Sequence, residues 1–123
     1  MGHPVVHFEV IGNDAERLQS YYSELFGWDI DASNALGYGI VQREGNTNAD
    51  GVGIGGGVAK SPAGYDGHVT FYVEVPDVGA SLARAKELGG RPIFGPDQVP
   101  GIDVILGQFS DPEGHVIGLI QGP

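Results

Sequence analysis

Cysteine is absent from this chain of 123 residues, which excludes disulfide staples, thiolate nucleophiles and cysteine-based zinc sites. Any metal would have to sit on histidine, aspartate, glutamate or water. Positive charge is scarce: six Lys and Arg stand against sixteen Asp and Glu, a formal net charge of -10. Such a surface repels nucleic-acid phosphates and anionic membranes, so neither is expected as a partner. Long apolar runs are also missing, and none approaches the ~18 residues of a membrane span. The first residues, Met1 to Val6, carry neither the basic nor the apolar stretch of a secretory leader, so a cytoplasmic protein is expected.

What is present suits a single globular core. The length fits one domain, taken as residues 1–123. Five Phe, five Tyr and one Trp supply bulk for burial, while 22 Gly and 8 Pro point to many tight turns and strand ends.

The chain repeats itself. Sliding it by 63 positions without a gap pairs Phe8 with Phe71, Val10 with Val73, Asp14 with Asp77, Glu24 with Glu87, Leu25 with Leu88 and Gly27 with Gly90. The pairing continues through Val41 with Val104, Gly51 with Gly114, Ile54 with Ile117 and Gly55 with Gly118. The two repeats run from about residue 4 to 60 and from 67 to 122, with Lys60 to Gly67 as the linker.

In the first repeat Val6, Phe8 and Val10 alternate with Val5, His7 and Glu9, the period of a strand with one apolar and one mixed face. Asn13 then reads as a helix N-cap with Glu16 three residues on. Ala15, Leu18, Tyr22 and Leu25 form an apolar stripe, and Gly27 suits a left-handed C-cap. Strands are expected at Tyr38 to Arg43 and Val52 to Val58. In the second repeat Val69, Phe71, Val73 and Val75 alternate with His68, Thr70, Tyr72 and Glu74. Asp77 caps a helix striped by Val78, Leu82, Ala85 and Leu88, which Gly89 and Pro92 end. Strands follow near Asp103 to Phe109 and His115 to Gln121. Each repeat therefore reads as β-α-β-β with one further short strand.

A sheet covered by one helix buries one face against it, and the apolar face of each first strand is the expected helix partner. The opposite faces carry His7 and Glu9 in one repeat and His68, Thr70, Tyr72 and Glu74 in the other. Cupped together, two such sheets would turn these faces toward a shared cavity. Solvent exposure and a dimer interface are the competing readings of the same residues. Gly51 to Gly56 satisfies G-x-G-x-x-G, but no helix follows to present its N-terminus to a phosphate. A Gly-rich strand where backbone approaches something closely is expected there. Serine-nucleophile chemistry finds no elbow motif, whereas His7 with Glu9 could act as a general acid and base.

The segments His7-Phe-Glu-Val10, Ala15 to Trp28, Glu74-Val-Pro-Asp-Val78 with Ala83 to Gly90, and Asp111-Pro-Glu-Gly-His-Val-Ile-Gly118 together resemble the vicinal oxygen chelate superfamily. That family includes glyoxalase I, extradiol dioxygenases, and fosfomycin- and bleomycin-resistance proteins. The likeness covers nearly the whole chain. It implies an α+β fold of two tandem βαβββ modules forming a cupped mixed sheet around one small-molecule site. It also implies metal ligands from the first and last strands of each module, at His7, Thr70, Gly55 and Gly118, of which only His7 is a ligand type. Three or more protein ligands normally hold a catalytic divalent ion. No cofactor is therefore expected, and a metal would need His68 and Glu9 beside His7.

The leading expectation is a small-molecule-binding protein of the bleomycin-resistance type without the family's metal. It would be paired as a homodimer by resemblance, with Tyr38, Gly55, His68, Thr70, Tyr72, Glu74 and Gly118 against the ligand; the acidity and Tyr38, Tyr65 and Tyr72 are compatible with an aromatic or cationic one. The alternatives are an enzyme of lyase, epimerase or dioxygenase type using His7, Glu9 and His68, and a non-catalytic interaction module.

Overall fold

The computed structural model describes residues 2–122. The fold is α+β and consists of two βαβββ modules. The first contains β1 (Val5–Gly12), α1 (Ala15–Phe26), β2 (Ile30–Asp31), β3 (Gly39–Val41) and β4 (Gly55–Lys60). The second contains β5 (His68–Glu74), α2 (Val78–Glu87), β6 (Arg91–Gln98), β7 (Ile105–Ser110) and β8 (Val116–Gln121). The backbone separates into two compact units. One is His7–Val69, and the other takes residues 70–122 together with residues 2–6. No helix among the described residues is long and apolar enough to cross a membrane.

In the unit His7–Val69 the strand order is β2-β3-β4-β1, with β1 parallel to β4 and the other neighbours antiparallel. The sheet is therefore mixed. α1 begins at Asp14, whose side chain accepts from the Arg17 amide, and not at Asn13. The Asn13 carboxamide instead accepts from the Ser61 hydroxyl, which ties the segment after β4 to the start of the helix. Gly27 takes the left-handed conformation at the C-cap, as a residue without Cβ can. The helix rests on β4, with Gln19 donating to the Val58 carbonyl at 2.8 Å. Leu25, placed in the buried stripe by its spacing, is exposed. Trp28, beyond the C-cap, joins an aromatic group with Phe8, Tyr22 and Phe26, its ring centroid 5.1, 5.7 and 5.0 Å from theirs.

In the other unit the order is β5-β8-β7-β6, with β5 parallel to β8 and the remaining neighbours antiparallel. Asp77 caps α2 by accepting from the Ala80 amide. Val75, Val78, Leu82 and Leu119 make the buried cluster, with Val73, Ile105 and Phe109 around it. The helix packs over β6, β7 and β8. The expected facing of β5 holds at Val73, in contact with the α2 cluster, and fails at the start of the strand. Val69 is 77% exposed, while Thr70 and Tyr72 are buried. Pro92 lies within β6, the outer strand of this order, where a missing amide donor is tolerated.

The repeat drifts along the chain. β5 starts 63 residues after β1 and α2 starts 63 after α1, but β8 starts only 61 after β4. The loop from 42 to 54 in the first module is replaced by the short turn 111–115 in the second, and other loops compensate only in part. Consequently His7 lies opposite Gly55, but Gly118 lies opposite Tyr72 and not opposite Thr70. The partner of Gly118 in the first module is therefore Gly57, which faces Glu9.

Candidate functional site

His7 and Glu9 are two residues apart on β1, so the strand's period of two puts them on one face. Opposite them on β4 stand Gly55 and Gly57. A Cβ at Gly57 would lie 2.0 Å from Cζ and Oη of Tyr38, so the phenol of the residue before β3 occupies the volume a side chain there would take. That placement delivers the Tyr38 hydroxyl between the two β1 side chains. It donates to Glu9 Oε1 at 3.0 Å and lies 3.0 Å from His7 Nε2. The His7 and Tyr38 rings are stacked with centroids 6.2 Å apart.

The other Glu9 oxygen, Oε2, is 2.7 Å from His68 Nε2. Nδ1 of His68 is in turn 2.7 Å from the Tyr65 hydroxyl. The result is a continuous chain, His7-Tyr38-Glu9-His68-Tyr65, centred on a carboxylate that is only 7% exposed. All five residues lie in the unit His7–Val69. Burial holds the His7 imidazole below the usual histidine range, against the upward pull of the Glu9 carboxylate. At neutral pH it is therefore uncharged. Burial, and then the charge of Glu9, push the Tyr65 phenol up, so its proton stays in place.

The linker explains how Tyr65 arrives. The Ser61 amide donates to the Gly12 carbonyl at 2.9 Å and the Tyr65 amide closes a turn on the Pro62 carbonyl at 3.1 Å. Gly67 has φ near 107°, and a Cβ there would lie 2.1 Å from the Ile11 carbonyl oxygen. The segment is thus folded against the end of β1, next to Glu9.

Of the remaining expected site residues, Gly55 lies opposite His7, and Thr70, Tyr72, Glu74 and Gly118 belong to the other unit. The Thr70 hydroxyl donates to the Val116 carbonyl, and the Tyr72 hydroxyl accepts from the Gln108 carboxamide at 2.9 Å. Glu74 is exposed beside His3, Pro4 and Gln121 at the end of β5. Gly55 and Gly118 do not enlarge a cavity. A Cβ at Gly55 would meet the Val41 carbonyl oxygen at 2.8 Å, and one at Gly118 would meet the Tyr72 ring at 2.4 Å, so neighbours fill both positions. His115 is exposed and pairs with Asp111.

A divalent ion does not fit this arrangement. Nε2 of His7 and of His68 point at Tyr38 and Glu9, and each Glu9 oxygen is engaged by a separate donor, so the donor atoms do not converge on one point. Among the described residues no three His, Asp or Glu side chains gather as a metal-holding group. The residue that sequence reasoning left outside the site is Tyr65. Its signal was the spacing Tyr65-x-x-His68 across a turn rich in Pro and Gly.

Comparison with known proteins bears on this fold. A family model described as a glyoxalase-like domain matches residues 7–120. No curated protein matches. Among solved structures, a single-residue variant of methylmalonyl-CoA epimerase of Streptomyces coelicolor, in complex with 2-nitronate-propionyl-CoA, is 14% identical over 98% of this chain and 97% of its own, with a TM-score of 0.63. A glyoxalase/bleomycin resistance protein/dioxygenase superfamily member from Vibrio splendidus 12B01 is 19% identical over 98% and 99%, with a TM-score of 0.58. Methylmalonyl-CoA epimerase from Mycobacterium tuberculosis is 12% identical over 97% and 87%, with a TM-score of 0.60. These identities speak to the fold.

Proposed function

The chain belongs to the glyoxalase-like domain family, and from that premise we propose that it binds a small organic molecule at the His7-Tyr38-Glu9-His68 network, through hydrogen bonds and not through a metal ion. The observation that supports this reading is the hydrogen-bonded chain itself. Five polar side chains drawn into a low-exposure cluster cost folding free energy to desolvate, and such clusters concentrate where binding or chemistry uses them. Neighbours of the same fold hold CoA derivatives, and those ligands are small organic molecules.

The test is a thermal-shift and calorimetric screen of the purified protein against acyl-CoA thioesters, aromatic amines and divalent metals. A ligand held by the wild type and bound at least ~10-fold more weakly by both His7→Ala and Tyr38→Phe, a loss of about 1.4 kcal/mol, supports the proposal. One-to-one binding of a divalent metal that disappears in His7→Ala overturns its metal-free form.

A second reading is an enzyme that moves a proton, favoured by the depressed proton affinity of His7. A neutral imidazole backed through Tyr38 by a carboxylate can accept a proton, and the cation formed is stabilised by Glu9. Deuterium uptake from D2O at the carbon next to the carbonyl of an acyl-CoA, lost in His7→Ala, is the expected signature. Uptake that persists unchanged in His7→Ala removes His7 from the role.

A further inference from the structure

We propose that Tyr65, carried by the linker between the two modules, is a positioning residue that pins the ring of His68 with its proton on Nε2; as a statement about the site this rests on the function proposed above.

Glu9, as a carboxylate, only accepts, so the His68 nitrogen 2.7 Å from Oε2 must carry a hydrogen. A ring turned over about its last torsion would put carbon where Nε2 now meets Glu9. Which ring nitrogen holds the proton is set by the hydrogen bond the other one makes. Here the other one, Nδ1, meets the Tyr65 hydroxyl at 2.7 Å. That hydroxyl is a donor to a bare nitrogen, so its contact favours the orientation and the tautomer that Glu9 requires. The Tyr65 and His68 rings meet edge to face, with centroids 5.5 Å apart, which fixes the ring plane as well.

The position of Tyr65 is built into the backbone around it. The Ser61 amide bonds Gly12 and the Tyr65 amide bonds Pro62, so the hydroxyl is delivered by a closed turn and not by a free segment. Glu9 therefore meets Tyr38 and His68 from two separate segments of the chain. Tyr38 comes from the loop before β3, and His68 comes with Tyr65 behind it.

Nitrogen-detected NMR of the histidine rings in the ligand-free, full-length protein tests this. In the wild type, His68 should show a protonated Nε2 and an unprotonated Nδ1, with a scalar coupling across the hydrogen bond from the Tyr65 hydroxyl to Nδ1. In Tyr65→Phe the Nε2 proton should exchange with water roughly tenfold faster, the factor expected for loss of one hydrogen bond, while backbone signals away from the linker stay in place. A proton on Nδ1 in the wild type, absence of the coupling there, or the same Nε2 exchange rate in Tyr65→Phe overturns the proposal. The coupling is read without any variant, so the decision stands even where Tyr65→Phe folds poorly. No ligand is needed either, so failure of the ligand screen with the expected ring state refutes the proposed function alone.

Discussion

Replacing Glu9 by glutamine keeps the side-chain volume and removes the charge, which makes it the sharpest perturbation of the network. The carboxylate accepts from Tyr38 at 3.0 Å and faces His68 Nε2 at 2.7 Å while only 7% exposed. Hydrogen bonds to a charged group contribute about 1.5–3 kcal/mol each and neutral ones about 0.5–1.5. A carboxamide can keep its oxygen toward one partner only, and the other partner then meets an N–H. Tyr38 can adapt by rotating its hydroxyl, which turns its bond to His7 around. Exchanging two charge-assisted bonds for neutral ones, less the desolvation no longer needed, leaves a loss of about 2 kcal/mol. For a domain of this size that corresponds to a fall in Tm of roughly 8 °C. Glu9→Ala, which orphans both partners, should cost about 3–5 kcal/mol. Urea denaturation of both variants, read as a shift in midpoint at constant slope, measures the two losses. A cycle pairing Glu9→Gln with His68→Gln should return a coupling of about 1 kcal/mol or more. Glu9→Gln within about 0.5 kcal/mol of the wild type would show that the carboxylate is solvated and the network is not formed.

Two further outcomes follow from particular contacts. Because the folded His7 sits below its ordinary value of 6.5, the unfolded chain takes up the proton first on acidification, so stability declines as pH drops through and below 6.5. His7→Gln should remove that component, and a wild-type minus variant difference that stays flat below pH 6.5 refutes the burial of His7. Gly118→Ala puts a Cβ 2.4 Å from the Tyr72 ring and should cost about 1–3 kcal/mol by denaturant titration, whereas Gly122→Ala, with open space around it, should stay within about 0.5. Equal effects of the two substitutions would refute the packing of Tyr72 over Gly118.

The fold was largely readable because its signals are local and repeated. The alternation of β1, the cap at Asp77 and the left-handed Gly27 each follow from short-range chemistry. The resemblance to the vicinal oxygen chelate superfamily then specified the βαβββ plan. What failed depended on packing at a distance. The expected stripe of α1 is only partly covered: Leu25 is exposed, and Trp28, beyond the helix end, makes the aromatic contacts with Phe8, Tyr22 and Phe26. The exposure of Val69 could not be read from alternation, since it depends on α2 lying over β6, β7 and β8. The equation of Gly118 with Gly55 failed because a slide without gaps cannot see loops of unequal length. At the site, His7, Glu9, Tyr38 and His68 were singled out from their strand face or residue type, but nothing in the pattern joined them. Tyr65 stayed outside because its role is set by a folded linker.

The pairing of Gly57 with the Tyr38 ring makes the tolerance of the two positions unequal. A smaller residue at position 38 leaves the glycine unstrained, whereas a side chain at position 57 displaces the phenol from its place between His7 and Glu9. The glycine thus guards the network without touching any ligand: a methyl group on the neighbouring strand is enough to move the hydroxyl that joins the two β1 side chains.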